Sequence, residues 1–172
     1  EIIGAKTADL FAVATHAGAV SAGADARRAG ALRNYGQSFG LAFKLAADEL
    51  NLVLIARKAE ALEQLAGEVR AKGGVEARVL PMDLTATDML QTIRGVTDDL
   101  EVGLLVYNAG ANPGMERYFD APLGKALGAV RLNPVGQVTL THHFGGRMRA
   151  RGRGGVSVVG ALAGNAGASP LG

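Results

Sequence analysis

Two kinds of position in this chain could do chemistry: side chains that carry charge or donate hydrogen bonds, and main chain left bare enough for something to touch it. The second kind is plainest at Asn108-Ala109-Gly110, where the apolar run Leu104-Leu105-Val106-Tyr107 stops and almost no side chain follows. Alanine and glycine there let a ligand lie against the backbone, because at most a methyl group stands in its way. The same triplet also reads as a plain strand-to-loop turn, where Asn and Gly are common. Other candidates sit at the ends of further apolar runs: Arg57-Lys58 after "LVLIA", Asp83-Leu84 after "ARVLPM", and Gly160-Ala161 after "VSVV". His142-His143 is a poor metal pair, since neighbours on a helix point about 100° apart and no carboxylate stands at ligand spacing. Arg147, Arg149, Arg151 and Arg153 in "RMRARGRGG" read as a solvated helix C-terminus, which welcomes cations, rather than a nucleic-acid patch.

The elements that must hold these positions follow from hydrophobic period. From residue 41 the chain alternates: "LAFKLAADEL" predicts a helix, "NLVLIAR" a strand, "AEALEQLAGEVRAKGG" an amphipathic helix and "VEARVLPMD" a strand. "TATDMLQTIRGVTDDL" follows as a helix with Thr85 as N-cap, then "VGLLVYNAG" as a strand. "APLGKALGAVRLNPVGQVTLTHHFGGRMRARG" reads as a long helical region interrupted at Asn133-Pro134, and "GVSVVGAL" as a last strand. Near-continuously apolar strands alternating with helices predict an α/β fold, a doubly wound parallel sheet covered on both faces. In such sheets ligands bind at the carboxyl ends of the strands, where the candidate residues lie.

Composition sets the frame. The 172 residues, 48% of them hydrophobic, suit a single domain over 1–172 with a less defined segment over 1–30. No apolar run approaches the roughly 20 residues needed to cross a bilayer, so no membrane partner is expected. A formal charge of +2 argues against nucleic acid, while a pI near 9.2 leaves room for a small anionic ligand. The absence of cysteine removes disulfides and thiol catalysis and agrees with a cytoplasmic location. The opening thirty residues begin with Glu1, carry Asp9 and lack a cationic stretch before a long apolar one, which argues against a signal peptide.

Together "NLVLIARK", "VLPMDLT", "LLVYNAG", "VRLNPVGQVTLTHHF" and "GGVSVVGALAG" resemble the short-chain dehydrogenase/reductase family, over roughly residues 41–171. The resemblance implies a Rossmann-type fold with a nicotinamide dinucleotide lying against Asn108, Ala109 and Gly110, Asn108 also tying the central strand to its neighbours. It implies that Arg57, followed by Lys58, pairs with a 2′-phosphate and stacks on adenine where NAD-preferring members carry a carboxylate, hence NADP(H). A solvated charge ending a strand is the plain alternative. Asp83 would accept a hydrogen bond from the adenine amino group and Leu84 would pack on its ring; "MDLT" also reads as an ordinary helix entry.

The family's phosphate loop, Thr-Gly-x-x-x-Gly-x-Gly after a strand, has two incomplete counterparts. "FAVATHAGAVSAG" offers a strand and Thr15, but His16 stands at the first glycine and Gly23 lies too far from Arg57. "ALRNYGQSFG" sets Gly36 about 21 residues before Arg57, with Gly40 following, behind a poor strand. Of the family's catalytic set, Asn133 matches the Asn that holds a water in the proton relay, with Pro134 opening the second half of the helix; a simple N-cap is the plain alternative. The Ser slot falls on Ala161, which donates no hydrogen bond. The Tyr is expected near position 174, past Gly172, and Tyr35, Tyr107 and Tyr118 have no Lys at the matching spacing. The chain thus reads as the cofactor half of an oxidoreductase that moves a hydride between NADP(H) and a small-molecule carbonyl or secondary alcohol, as a homodimer or homotetramer built on the long helices. The alternative is a catalytically silent scaffold that binds a dinucleotide or a protein partner.

Overall fold

The computed structural model describes residues 5–110 and 119–159. The chain divides into two compact units, Glu1–Met82 and Asp83–Gly172.

The first unit opens with two helices, α1 (Ala5–Ser21) and α2 (Ala26–Ala47), which pack along each other and bury Ala12, Ala19 and Ala29. Gly23 turns the chain between them at φ +75°, and Asp25 caps α2 by accepting the Arg28 N–H at 2.8 Å. The strand expected in "FAVAT" is therefore helical, because an alanine-rich stretch loses little side-chain freedom in a helix and finds a helical partner in α2. A βαβ unit follows: strand β1 (Leu52–Ala56), helix α3 (Ala59–Gly73) and strand β2 (Ala77–Pro81). The strands pair in parallel from Leu52↔Ala77 to Ala56↔Pro81. Ala42 and Ala46 of α2, Ala66 and Val69 of α3, and Ala77 of β2 form the core, packed against Leu52, Leu54 and Val79. Gly73 lets the ends of α2 and α3 approach, since a Cβ there would stand 2.9 Å from that of Ala46. Gly74, at φ +62°, ends α3 in the left-handed conformation that glycine adopts freely.

The second unit carries helix α4 (Met89–Thr97), strand β3 (Leu104–Tyr107), helix α5 (Leu123–Val130), a π-helical turn (Arg131–Val135), helix α6 (Gly136–Arg151) and strand β4 (Gly155–Val158). β3 and β4 are parallel, from Leu104↔Gly155 to Tyr107↔Val158. Thr85 does not cap α4: its N–H and hydroxyl both donate to Asp83 Oδ1 at 2.8 Å, and the helix begins at Met89 behind Asp88. A side chain two residues earlier satisfies the Thr85 amide and so delays the helix. The interruption expected at Asn133-Pro134 is absorbed within a continuous helical path by the π turn. Met89, Ile93 and Thr97 form the buried face of α4; Leu140, Phe144 and Met148, four residues apart, form that of α6.

The arginine run lies at the surface, with Arg149 and Arg153 exposed, and most of it is also engaged by neighbouring groups. Arg147 reaches Asp98 Oδ1 at 3.0 Å, Arg151 donates to the Val102 carbonyl at 2.6 Å, and Arg153 pairs with Glu101. Three of the four guanidiniums thereby tie the end of α6 to the segment between α4 and β3. No helix among the described residues is long and apolar enough to cross a membrane.

Candidate functional site

In the first unit the site residues stand at the carboxyl end of β1. Ala56 closes the strand, its carbonyl accepting the Met82 N–H at 2.9 Å, and Arg57 and Lys58 follow, both exposed. Among the described residues no carboxylate or other partner engages either side chain, whereas Arg28 and Arg70 of the same unit are paired with Asp25 and Glu63. A guanidinium so placed keeps its full fork of donors for an external anion. Gly36 and Gly40 lie inside α2, both buried. Helix interior amides are taken by the i−4 carbonyls, so these two glycines form no strand-to-helix loop with free N–H groups. The alanine-rich context that makes α1 helical extends through α2 and explains the difference.

In the second unit Asp83 is exposed and its Oδ1 is engaged by Thr85, while Leu84 is half-buried. Asn108 and Ala109 are half-buried directly after β3, and Gly110 is exposed. The structure brings this turn to Asn133: a Cβ on Gly110 would lie 3.8 Å from Asn133 Oδ1, with no other described atom within 4 Å. The π turn that carries Asn133 is tied to β3 by Tyr107, whose buried phenol donates to the Leu132 carbonyl. Burial raises the Tyr107 pKa above that of an ordinary phenol, so the group remains a donor. Gly136 gives it room, since a Cβ there would stand 2.5 Å from Tyr107 Oη. Sequence reading missed Tyr107 and Gly136; the signal for them is a glycine two residues after a helical proline. Ala161 lies outside the described residues.

His143, on α6, has Nε2 buried without a partner, and its ring meets Phe144 edge-on at 4.8 Å. Desolvation lowers its pKa, helped by the Arg147, Arg94 and His142 charges and opposed by Asp98. Among the described residues no group of three potential metal ligands occurs.

The chain matches the family described as short chain dehydrogenase over residues 30–170. A 7beta-hydroxysteroid dehydrogenase of Clostridium sardiniense is 34% identical over 123 residues, which are 72% of this chain and 47% of the relative. A solved short-chain dehydrogenase from Sphingobium yanoikuyae in complex with NADPH superposes with a TM-score of 0.69 at 25% identity, over 76% of this chain and 50% of that one. An NAD+-bound xylitol dehydrogenase gives 0.68 at 25% identity, over 80% and 53%. These likenesses show an α/β fold of the Rossmann type with parallel strands. The chain spans about half the length of the relatives it matches.

Proposed function

The chain is a member of the short-chain dehydrogenase family, and from that membership we propose that it holds NADP(H) for hydride transfer to or from a small-molecule carbonyl or secondary alcohol. The observation that carries this reading is the approach of Asn133 Oδ1 to the bare turn at Gly110. A relay amide and an uncrowded stretch of main chain then lie together at the carboxyl end of one strand, where Rossmann-type sheets take their ligands.

One relative holds NADPH and another NAD+, so the family leaves the dinucleotide open. Arg57 supports the phosphorylated one: an exposed guanidinium without a described partner suits a 2′-phosphate and repels nothing in it. Lys58 adds positive charge beside it. The fit elsewhere is uneven. Gly36 and Gly40 inside α2 offer no free amides to a pyrophosphate, so no described residue is assigned that contact. Asp83 and Leu84 are assigned the adenine, Asn108 and Ala109 the neighbouring sugar, and Asn133 an ordered water. NADP(H), when bound, supplies or accepts the hydride, and the protein's part is to orient it and keep a proton path to the substrate oxygen.

A second reading is favoured by one specific observation: Ala161, which donates no hydrogen bond, occupies the Ser slot. In that reading the chain binds the dinucleotide without turning it over. We assign a cytoplasmic location and a homodimer or homotetramer to either reading. NADPH absorbance, followed after adding a panel of ketones that includes a ketosteroid, separates the two. NADPH consumption that depends on an added ketone supports hydride transfer. Binding without consumption supports the scaffold, and absence of binding contradicts both.

A further inference from the structure

Tyr107 closes β3 with its ring buried and its phenol on the Leu132 carbonyl. In an unbroken α-helix that carbonyl would accept the Gly136 N–H, four residues on. Here the Gly136 N–H donates instead to the Arg131 carbonyl, five residues back. Pro134, inside the turn, has no N–H to give. The π turn therefore takes the Gly136 N–H away from the Leu132 carbonyl, and Tyr107 donates to that carbonyl from outside the helix. Gly136 is the complementary feature, its missing Cβ leaving the space that Oη fills. Asn133 is the next residue after Leu132, and its Oδ1 faces Gly110, three residues beyond Tyr107.

We infer that Tyr107 is a positioning residue: its hydrogen bond to the Leu132 carbonyl holds the π turn in the register that sets Asn133 beside the Asn108–Gly110 turn. Its functional consequence rests on the reading of Asn133 as the relay amide, whereas the tether itself does not. The phenol's hydrogen bond is to main chain, and it is the hydroxyl, not the ring, that acts.

The test compares the full 172-residue chain with its Tyr107→Phe and Asn133→Ala variants by hydrogen exchange and by NADPH binding and consumption. Tyr107→Phe keeps the ring and removes one hydrogen bond, which corresponds to roughly tenfold faster exchange of amides 131–137. The Val159 amide, which donates to the Tyr107 carbonyl in the β3–β4 ladder, is expected to stay unchanged, and NADPH binding or consumption to fall as it does in Asn133→Ala. Unchanged exchange over 131–137 overturns the inference, and so does acceleration spread equally over β3 and β4, which marks a general packing role. Local acceleration with no effect of either variant on NADPH leaves the tether standing and removes the relay role of Asn133. Gly136→Ala provides the second variant: local acceleration in the Tyr107 background, with little added effect in the Tyr107→Phe background, supports the tether, and equal effects in both count against it.

Discussion

His143 shows how burial of one titratable group makes stability depend on pH. Its Nε2 is enclosed without an acceptor or donor partner, and two guanidiniums, Arg147 and Arg94, add to the penalty on its protonated form. The folded pKa is lowered, so the unfolded chain binds the proton more readily. Stability is therefore complete above the unfolded value of about 6.5 and declines as pH falls below it, until the folded group titrates as well. Melting temperature is expected to drop between about pH 7.5 and about pH 5.5, with a smaller drop in His143→Gln. Equal drops in both proteins would contradict this account. At the same scale, the places of Arg57 and Asn108 directly after strands were legible in the sequence because the hydrophobic pattern shows where strands end. Tyr107 and Gly136 were not, because the partner of the phenol is a main-chain carbonyl in a π turn, and no pattern of side chains announces a shifted backbone hydrogen bond.

Among the elements, β1, α3 and β2 follow the sequence closely, since a short apolar strand, an amphipathic helix and a second strand leave one parallel pairing that buries Val69 and Ala66. α4 depends on a similar stripe. Ile93 is fully buried at its centre and flanked by Met89 and Thr97, the latter satisfied by donating to the Ile93 carbonyl at 2.8 Å. Ile93→Ala is expected to destabilise the protein by about 2–5 kcal/mol, read from the urea midpoint. A change under about 1 kcal/mol would mean that α4 is not anchored through this face. The N-terminal helices were the illegible part. "FAVAT" is apolar and includes Val, so a short window does not separate a strand from a buried helix. The same ambiguity made "ALRNYGQSFG" look like a glycine loop, when its two glycines serve as small residues inside α2.

For the whole molecule, some surface cations are paired and others are not. Arg147, Arg151 and Arg153 are engaged by Asp98, Glu101 and the Val102 carbonyl, so this run contributes structure to the second unit. Arg57 and Lys58 remain exposed and without described partners in the first. The central claim is that this pair selects a phosphorylated dinucleotide. The most direct measurement is a fluorescence titration of the full chain and its Arg57→Glu variant with NADPH and with NADH. The account predicts tighter binding of NADPH by the unaltered chain, and a loss of about 10–100-fold in NADPH affinity on Arg57→Glu with NADH little changed. Equal affinity for the two dinucleotides, or no binding of either, would contradict it.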